Sequence, residues 1–153
     1  MLSEIANFQA AYARCLDDQR LEAWPDFFLA DAVYRVTTAD NHRRGLQAGL
    51  IWANSQAMLR DRISALREAN IYERHAYRHI LGLPLVEQDA AGATRAETPF
   101  IVARIMRDGT TDLFATGRYL DVFARDDAGA LKLRERVVVC DSSRIDTLLA
   151  IPL

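Results

Sequence analysis

The chain has 153 residues, half of them hydrophobic and about a quarter charged, which fits a single soluble domain over residues 1–153 with a core of useful size. A formal net charge of −2 and a pI near 5.9 argue against a general nucleic-acid binder or a membrane-surface protein. No apolar run approaches the roughly 20 residues of a membrane helix, and Glu4 stands where an export signal would carry basic residues. Cys15 and Cys140 belong to no CxxC or CxH pattern. Free buried thiols in a cytoplasmic protein are therefore expected.

The first element reads as a helix. Ser3 can cap it, and Ile5, Phe8, Tyr12 and Leu16 recur on one face. A short second helical segment follows in "RLEAWPDFFLAD", with Pro25 in its first turn and Trp24, Phe27 and Phe28 facing inward. A first strand is expected from Val33 to Thr38. The stretch from Gly45 to Asn70 is the longest helical candidate, with Leu46, Leu50, Ala53 and Ala57 in one line and Met58, Ile63 and Leu66 continuing it after a break.

From Tyr77 onward the period changes to two. "YRHILGLPLVEQ", "TPFIVARIMR", "TDLFATGRYLDVFAR" and "LKLRERVVVCD" alternate, separated by "AAGATRAE", "DGT" and "DDAGA". Pro84 and Pro99 belong at strand edges or bulges, and Gly117 suggests a bend. Helices followed by an antiparallel meander make an α+β fold, whose curved sheet can wrap the helices as a cone.

Three stretches could carry chemistry. In "IYERHAYRHI", a helix would bring His75 and His79 together for a metal. A strand would separate them by about 13 Å, and the alternation that follows favours the strand. In "NHRRGLQAG", His42, Arg43 and Arg44 precede a helical candidate and could receive an anion there, although a solvated loop is the simpler reading. In "LKLRERVVVCD", strict alternation puts Glu135 on one face with Leu133, Val137 and Val139. A carboxylate there is costly unless paired, so Glu135 is either a pocket base or, preferably, half of an ion pair. No Ser/His/Asp spacing singles out a nucleophile.

Three longer stretches carry a family likeness: "DRISALRE" running on to "YRHI", then "FIVARIMRDGTTDLFATGRYLDVFAR", then "RERVVVCDSSRIDTLLAIPL". In this order the whole chain resembles the β (small) subunits of bacterial aromatic-ring-hydroxylating dioxygenases. "ANIYERHAYRHILGLP" with the ending "DTLLAIPL" is most similar to the terephthalate and salicylate-type branch. The resemblance implies a nuclear-transport-factor-two-like α+β cone, with N-terminal helices packed in a curved, mainly antiparallel sheet. It implies a non-catalytic, structural chain working with an α (large) subunit in a hexamer of three α and three β chains, and leaves open a trimer of β chains alone. The Rieske [2Fe–2S] cluster and the mononuclear Fe(II) belong to the α subunit, acting on an aromatic carboxylate.

The ligand count agrees with that division. A Rieske centre takes two cysteines and two histidines, and a facial-triad iron takes two more histidines and a carboxylate. This chain has three histidines in all, so no catalytic, cofactor or metal residue is assigned to it. Glu73, Arg74, Arg78 and His79 are the candidate subunit-interface residues, a mixture suited to an interface rim. The alternative is a stand-alone isomerase or dehydratase of the same cone fold. His79, Tyr119, Asp121 and Glu135 would then line its cavity.

Overall fold

In the computed structural model, described over residues 1–46, 49–69, 74–144 and 151–153, the chain opens with α1, Leu2–Asp17. Ile5, Gln9, Tyr12, Ala13 and Leu16 form its buried face. Ser3 lies inside the helix rather than capping it, because the helix begins two residues earlier, with Met1 at the cap position and no side-chain cap. A 3-10 helix, Leu21–Phe27, follows, with Pro25 near its end rather than in its first turn. Trp24 and Phe28 are buried as expected, and Trp24 packs edge-on against Phe28 and Tyr34.

The strand β1 runs from Phe28 to Thr38, five residues earlier than the alternation suggested. The long helix expected from residue 45 is shorter and later. Its place is taken by a one-turn α2, Ala39–Arg43, a short strand β2, Ile51–Ala53, and then α3, Gln56–Ala69. Ile51 and Ala53 are buried through pairing of β2 with Tyr34–Val36 of β1. Leu46 and Leu50, placed on the core side by the helical reading, are exposed. A tertiary strand pairing overrides a helical spacing that only a few residues supported.

Leu59 and Ile63 give α3 its buried side. Polar bonds fix its position. Gln56 donates to the carbonyls of Pro25 and Phe28, Arg60 pairs with Asp26 at 2.7 Å, and Arg67 forks onto Glu22.

The remaining strands are β3 (His75–Leu81), β4 (Leu85–Gln88), β5 (Thr94–Met106), β6 (Thr111–Arg125) and β7 (Leu131–Cys140). The sheet order is β2-β1-β7-β6-β5-β3, with β4 also on β5. All pairs are antiparallel except β1 with β7. The helices pack on one face of this curved, non-closed sheet. No helix among the described residues is long and apolar enough to cross a membrane.

Two of the hairpins are written in the sequence as the same D-x-A-G-A motif. Asp89 accepts from the amides of Ala91 and Ala93, and Asp126 accepts from those of Ala128 and Ala130. Gly92 and Gly129 take the positive φ that closes each turn. Pro99 sits where β3 hands its pairing with β5 over to β4, so its missing N–H leaves no gap in a ladder.

Gly117 is in register between Phe100 and Cys140, and a Cβ there would run into the Val139 carbonyl. Its role is close backbone approach. Gly117→Ala is expected to cost roughly 1–3 kcal/mol in urea denaturation, with the native far-UV spectrum retained.

Candidate functional site

Alternation along the central strands divides the side chains between a helix-covered interior and an outer face. The interior holds the polar residues. Arg136 is completely buried. Its Nε and Nη2 donate to the two Asp121 oxygens at 2.7 and 2.8 Å, and Nη2 also donates to Gln9 Oε1. Gln9 returns its amide to Asp121 at 2.8 Å and to Thr98 at 3.0 Å. The guanidinium lies between the rings of Tyr12 and Tyr119, 4.1 and 3.9 Å from their centroids.

Burial alone would lower the pKa of Arg136, but the charge and hydrogen bonds of Asp121 leave it raised. Burial pushes the hydroxyls of Tyr34 and Tyr119 well above the ordinary tyrosine range, and that of Tyr12 upward as well. The three phenols therefore stay neutral hydrogen-bonding groups at any physiological pH.

A second tie lies between α1 and β3. His79 Nδ1 is 2.6 Å from Asp17 Oδ1, and the His79 backbone N–H donates to the other oxygen at 3.0 Å. The imidazole is 0% exposed. A carboxylate at the last residue of a helix opposes the helix dipole. Asp17 is held there by His79 on one side and by Arg78 at 3.7 Å on the other. The ring nitrogen needs its proton on Nδ1 to satisfy an ionised Asp17.

The structure sorts the sequence candidates. His75 and His79 both lie within β3, which starts two residues earlier than the alternation implied, and strand geometry keeps them about 13 Å apart. Tyr119, Asp121 and His79 do face the interior, where Asp121 is bound up with Arg136 and His79 is tied to Asp17 through Nδ1, with Nε2 buried and without a partner among the described residues. His79 is also no surface contact, because its side chain is inside. Arg74 and Arg78 are exposed, and Glu73 lies outside the described residues.

Glu135 is a clear correction. A bulge at Arg134, where Phe123 pairs with Leu133 but Val122 pairs with Glu135, reverses the alternation. Leu133, Arg136 and Val138 become the inward set. Glu135 turns outward into a groove with Glu87, Arg95 and Glu97. A one-residue slip moves every later side chain to the other face. His42, Arg43 and Arg44 are likewise displaced. They close the C-terminal end of α2, with Arg43 and Arg44 each 3.7 Å from Asp40, so among the described residues they adjoin no helix N-terminus that could receive an anion.

Sequence reasoning missed Arg136, Gln9 and Asp17. Gln9 had a visible signal, a polar residue one turn from Ile5 on the apolar side of α1. Arg136 had none, since the bulge that turns it inward leaves no mark in "LRERVVVC".

The outer face of the β3–β5–β6 region is apolar and open. Ile80 pairs with Ile101, and Ala103 in the next row pairs with Arg78 on one side and Leu113 on the other. Ile80, Ile101 and Leu113 are 59%, 45% and 65% exposed, and Leu83 and Leu85 are more so. A run of large apolar side chains on one sheet face, bordered by an arginine, has the anatomy of a protein contact.

Comparison with known proteins places this geometry. The SnoaL-like domain model matches residues 2–137. Over 150 residues the chain is 59% identical to subunit beta 1 of the terminal oxygenase component of terephthalate 1,2-dioxygenase from a Comamonas species, covering 98% of this chain and 97% of that one. It is 38% identical over 151 residues to the small subunit of anthranilate 1,2-dioxygenase from Burkholderia cepacia, covering 98% and 92%. The crystal structure of a β subunit assigned to an aromatic-ring-hydroxylating dioxygenase from Novosphingobium aromaticivorans matches with a TM-score of 0.88 at 38% identity, covering 99% and 96%. The cone expected from the sequence is thus the fold observed.

Two measurements check the interior. Arg136→Met leaves Asp121 buried without its cation and is expected to destabilise the chain by roughly 3–5 kcal/mol. Adding Asp121→Leu should recover part of that loss in a double-mutant cycle by chemical denaturation. Burial pushes the Cys140 thiol up to about 12 and raises Cys15 as well. Ellman's reagent at pH 8 should therefore titrate neither thiol in the native chain and both after unfolding.

Proposed function

We propose that this chain, which belongs to the β (small) subunits of the aromatic-ring-hydroxylating dioxygenases within the SnoaL-like domain family, is the structural, non-catalytic β subunit of a cytoplasmic terminal oxygenase. The oxygenase acts on an aromatic carboxylate, and the relatives named for terephthalate point to the substrate class. The observation that carries this reading is the near full-length identity to those β subunits. The open apolar sheet face supports it, because a chain that acts by holding others needs such a surface.

The residues present do not fit the family's iron chemistry. Both histidines on β3 face inward about 13 Å apart, and His79 is committed to Asp17. Cys15 lies on α1 and Cys140 at the end of β7, both buried. The Rieske cluster and the mononuclear iron belong to an α partner, and no step of the reaction passes through this chain's own side chains. What the chain contributes is a rigid wedge. Its outer face, centred on Ile80, Ile101 and Leu113 with Arg78 and Arg74 near its edge, meets neighbouring chains in an assembly of three α and three β subunits.

Co-expression with the α subunit is expected to yield one complex on size exclusion. Ile101→Glu, on the exposed face, should abolish co-purification while leaving the melting temperature of the isolated chain within about 2 °C, as for surface substitutions. The isolated chain should bind no stoichiometric iron. One tightly held iron per chain by metal analysis would overturn the proposal.

A further inference from the structure

The interior of the cone holds a segment of the chain that belongs to none of its helices or strands. Ile151 and Leu153 are 1% and 0% exposed, as buried as any strand residue. Their backbone is bonded by three tyrosines on three different elements. Tyr12 of α1 and Tyr34 of β1 both donate to the main-chain oxygen of Leu153 at 3.0 Å. The Tyr34 hydroxyl also accepts from the Leu153 amide at 3.3 Å, and Tyr77 of β3 donates to the Ile151 carbonyl at 3.4 Å.

This arrangement differs from a strand joining a sheet. A strand added to an edge is recognised by backbone, whereas this segment is recognised by side-chain hydroxyls, with apolar walls receiving Ile151 and Leu153. That is how a pocket holds a small ligand: an apolar enclosure with a few convergent polar groups. The enclosure is also larger in polar capacity than the segment uses. The Tyr119 hydroxyl and His79 Nε2 are buried without a hydrogen-bond partner among the described residues. Tyr119 lies beside Tyr12, with ring centroids 6.0 Å apart, and His79 beside Tyr77, at 6.1 Å.

We propose that the tyrosine-lined interior is a peptide-binding site and that residues 151–153 are its ligand, seated in cis and separable from the fold that receives them. The class of ligand is a short segment with branched aliphatic side chains on either side of a proline. Its main-chain oxygens are captured by phenols, and among the described residues no charged side chain is hydrogen-bonded to it. The inference rests on the interior contacts and does not depend on the subunit reading.

The full chain gives the first test. In amide exchange followed by NMR, Leu153 should exchange at least about 100-fold more slowly than in an unstructured peptide, as a buried hydrogen-bonded amide does. Tyr34→Phe should remove that protection while Val138 on β7 keeps its own. An unprotected Leu153 in the unaltered chain overturns the proposal, as does a Tyr34→Phe variant in which Leu153 stays protected.

A chain shortened to end at Ala150 gives the second. It should melt about 5 °C or more below the full chain. The synthetic peptide Leu-Ala-Ile-Pro-Leu, at millimolar concentration, should raise its melting temperature saturably. A scrambled peptide should not. A folded shortened chain that is indifferent to the peptide, or that melts with the full chain, overturns the proposal. Should the shortened chain not fold, the exchange measurement on the full chain decides alone.

Discussion

Everything inside this cone is arranged around one buried charge. Arg136 cannot be placed among apolar side chains without an anion, acceptors and something to replace its water. The structure supplies Asp121 from the neighbouring strand, Gln9 from α1 and the faces of Tyr12 and Tyr119. Gln9 then reaches on to Thr98 of β5. One guanidinium therefore sets the position of the first helix against three consecutive strands. Hydrophobic burial would allow α1 to slide or rotate by a few degrees over the sheet. A fork of directional bonds does not.

Once α1 is fixed in this way, the far end of the helix is fixed as well. Asp17 arrives at β3 where His79 offers both a ring nitrogen and a backbone amide. Tyr12, halfway along, presents its ring to Arg136 and its hydroxyl to Leu153. The same helix face thus serves the ion pair, the interior segment and the edge strand. Most of the polar groups inside are thus committed to one another, Asp121 to Arg136 and His79 through Nδ1 to Asp17.

The sequence displayed the fold where local chemistry is strong. The D-x-A-G-A turns, the period-two strands and the spacing of Ile5, Tyr12 and Leu16 all lead to the correct elements. It misled where tertiary pairing decides. Ile51 and Ala53 become a strand only because β1 has room beside Tyr34 and Val36. Phe28 joins β1 five residues early because β7 reaches that far. The bulge at Arg134 is the deeper case. Nothing in the alternation of "LKLRERVVVC" says which residue is extra, and the choice decides whether a glutamate or an arginine enters the core. An arginine with two ring faces and a carboxylate waiting is the cheaper occupant, but those partners lie 15 and more residues away.

The Arg78-His79 pair shows how the two faces of one strand divide the labour. Neighbouring residues of a strand point in opposite directions, so His79 meets Asp17 from inside at 2.6 Å while the exposed Arg78 reaches it only at 3.7 Å. His79 turns inward, and its imidazole with its backbone amide locks the edge strand to the end of α1. Arg78 turns outward onto the row that contains Ala103 and Leu113, beside the Ile80–Ile101 pair. The edge strand most exposed to fraying is thereby stiffened from inside at the point where it presents apolar surface outside. A contact surface made of mobile side chains on a loose edge would lose much of its binding free energy to ordering. One tied down by a buried Asp–His pair is already in the shape it must keep. The interior polar network and the outer apolar face are two consequences of the same alternation, and the first is what makes the second useful.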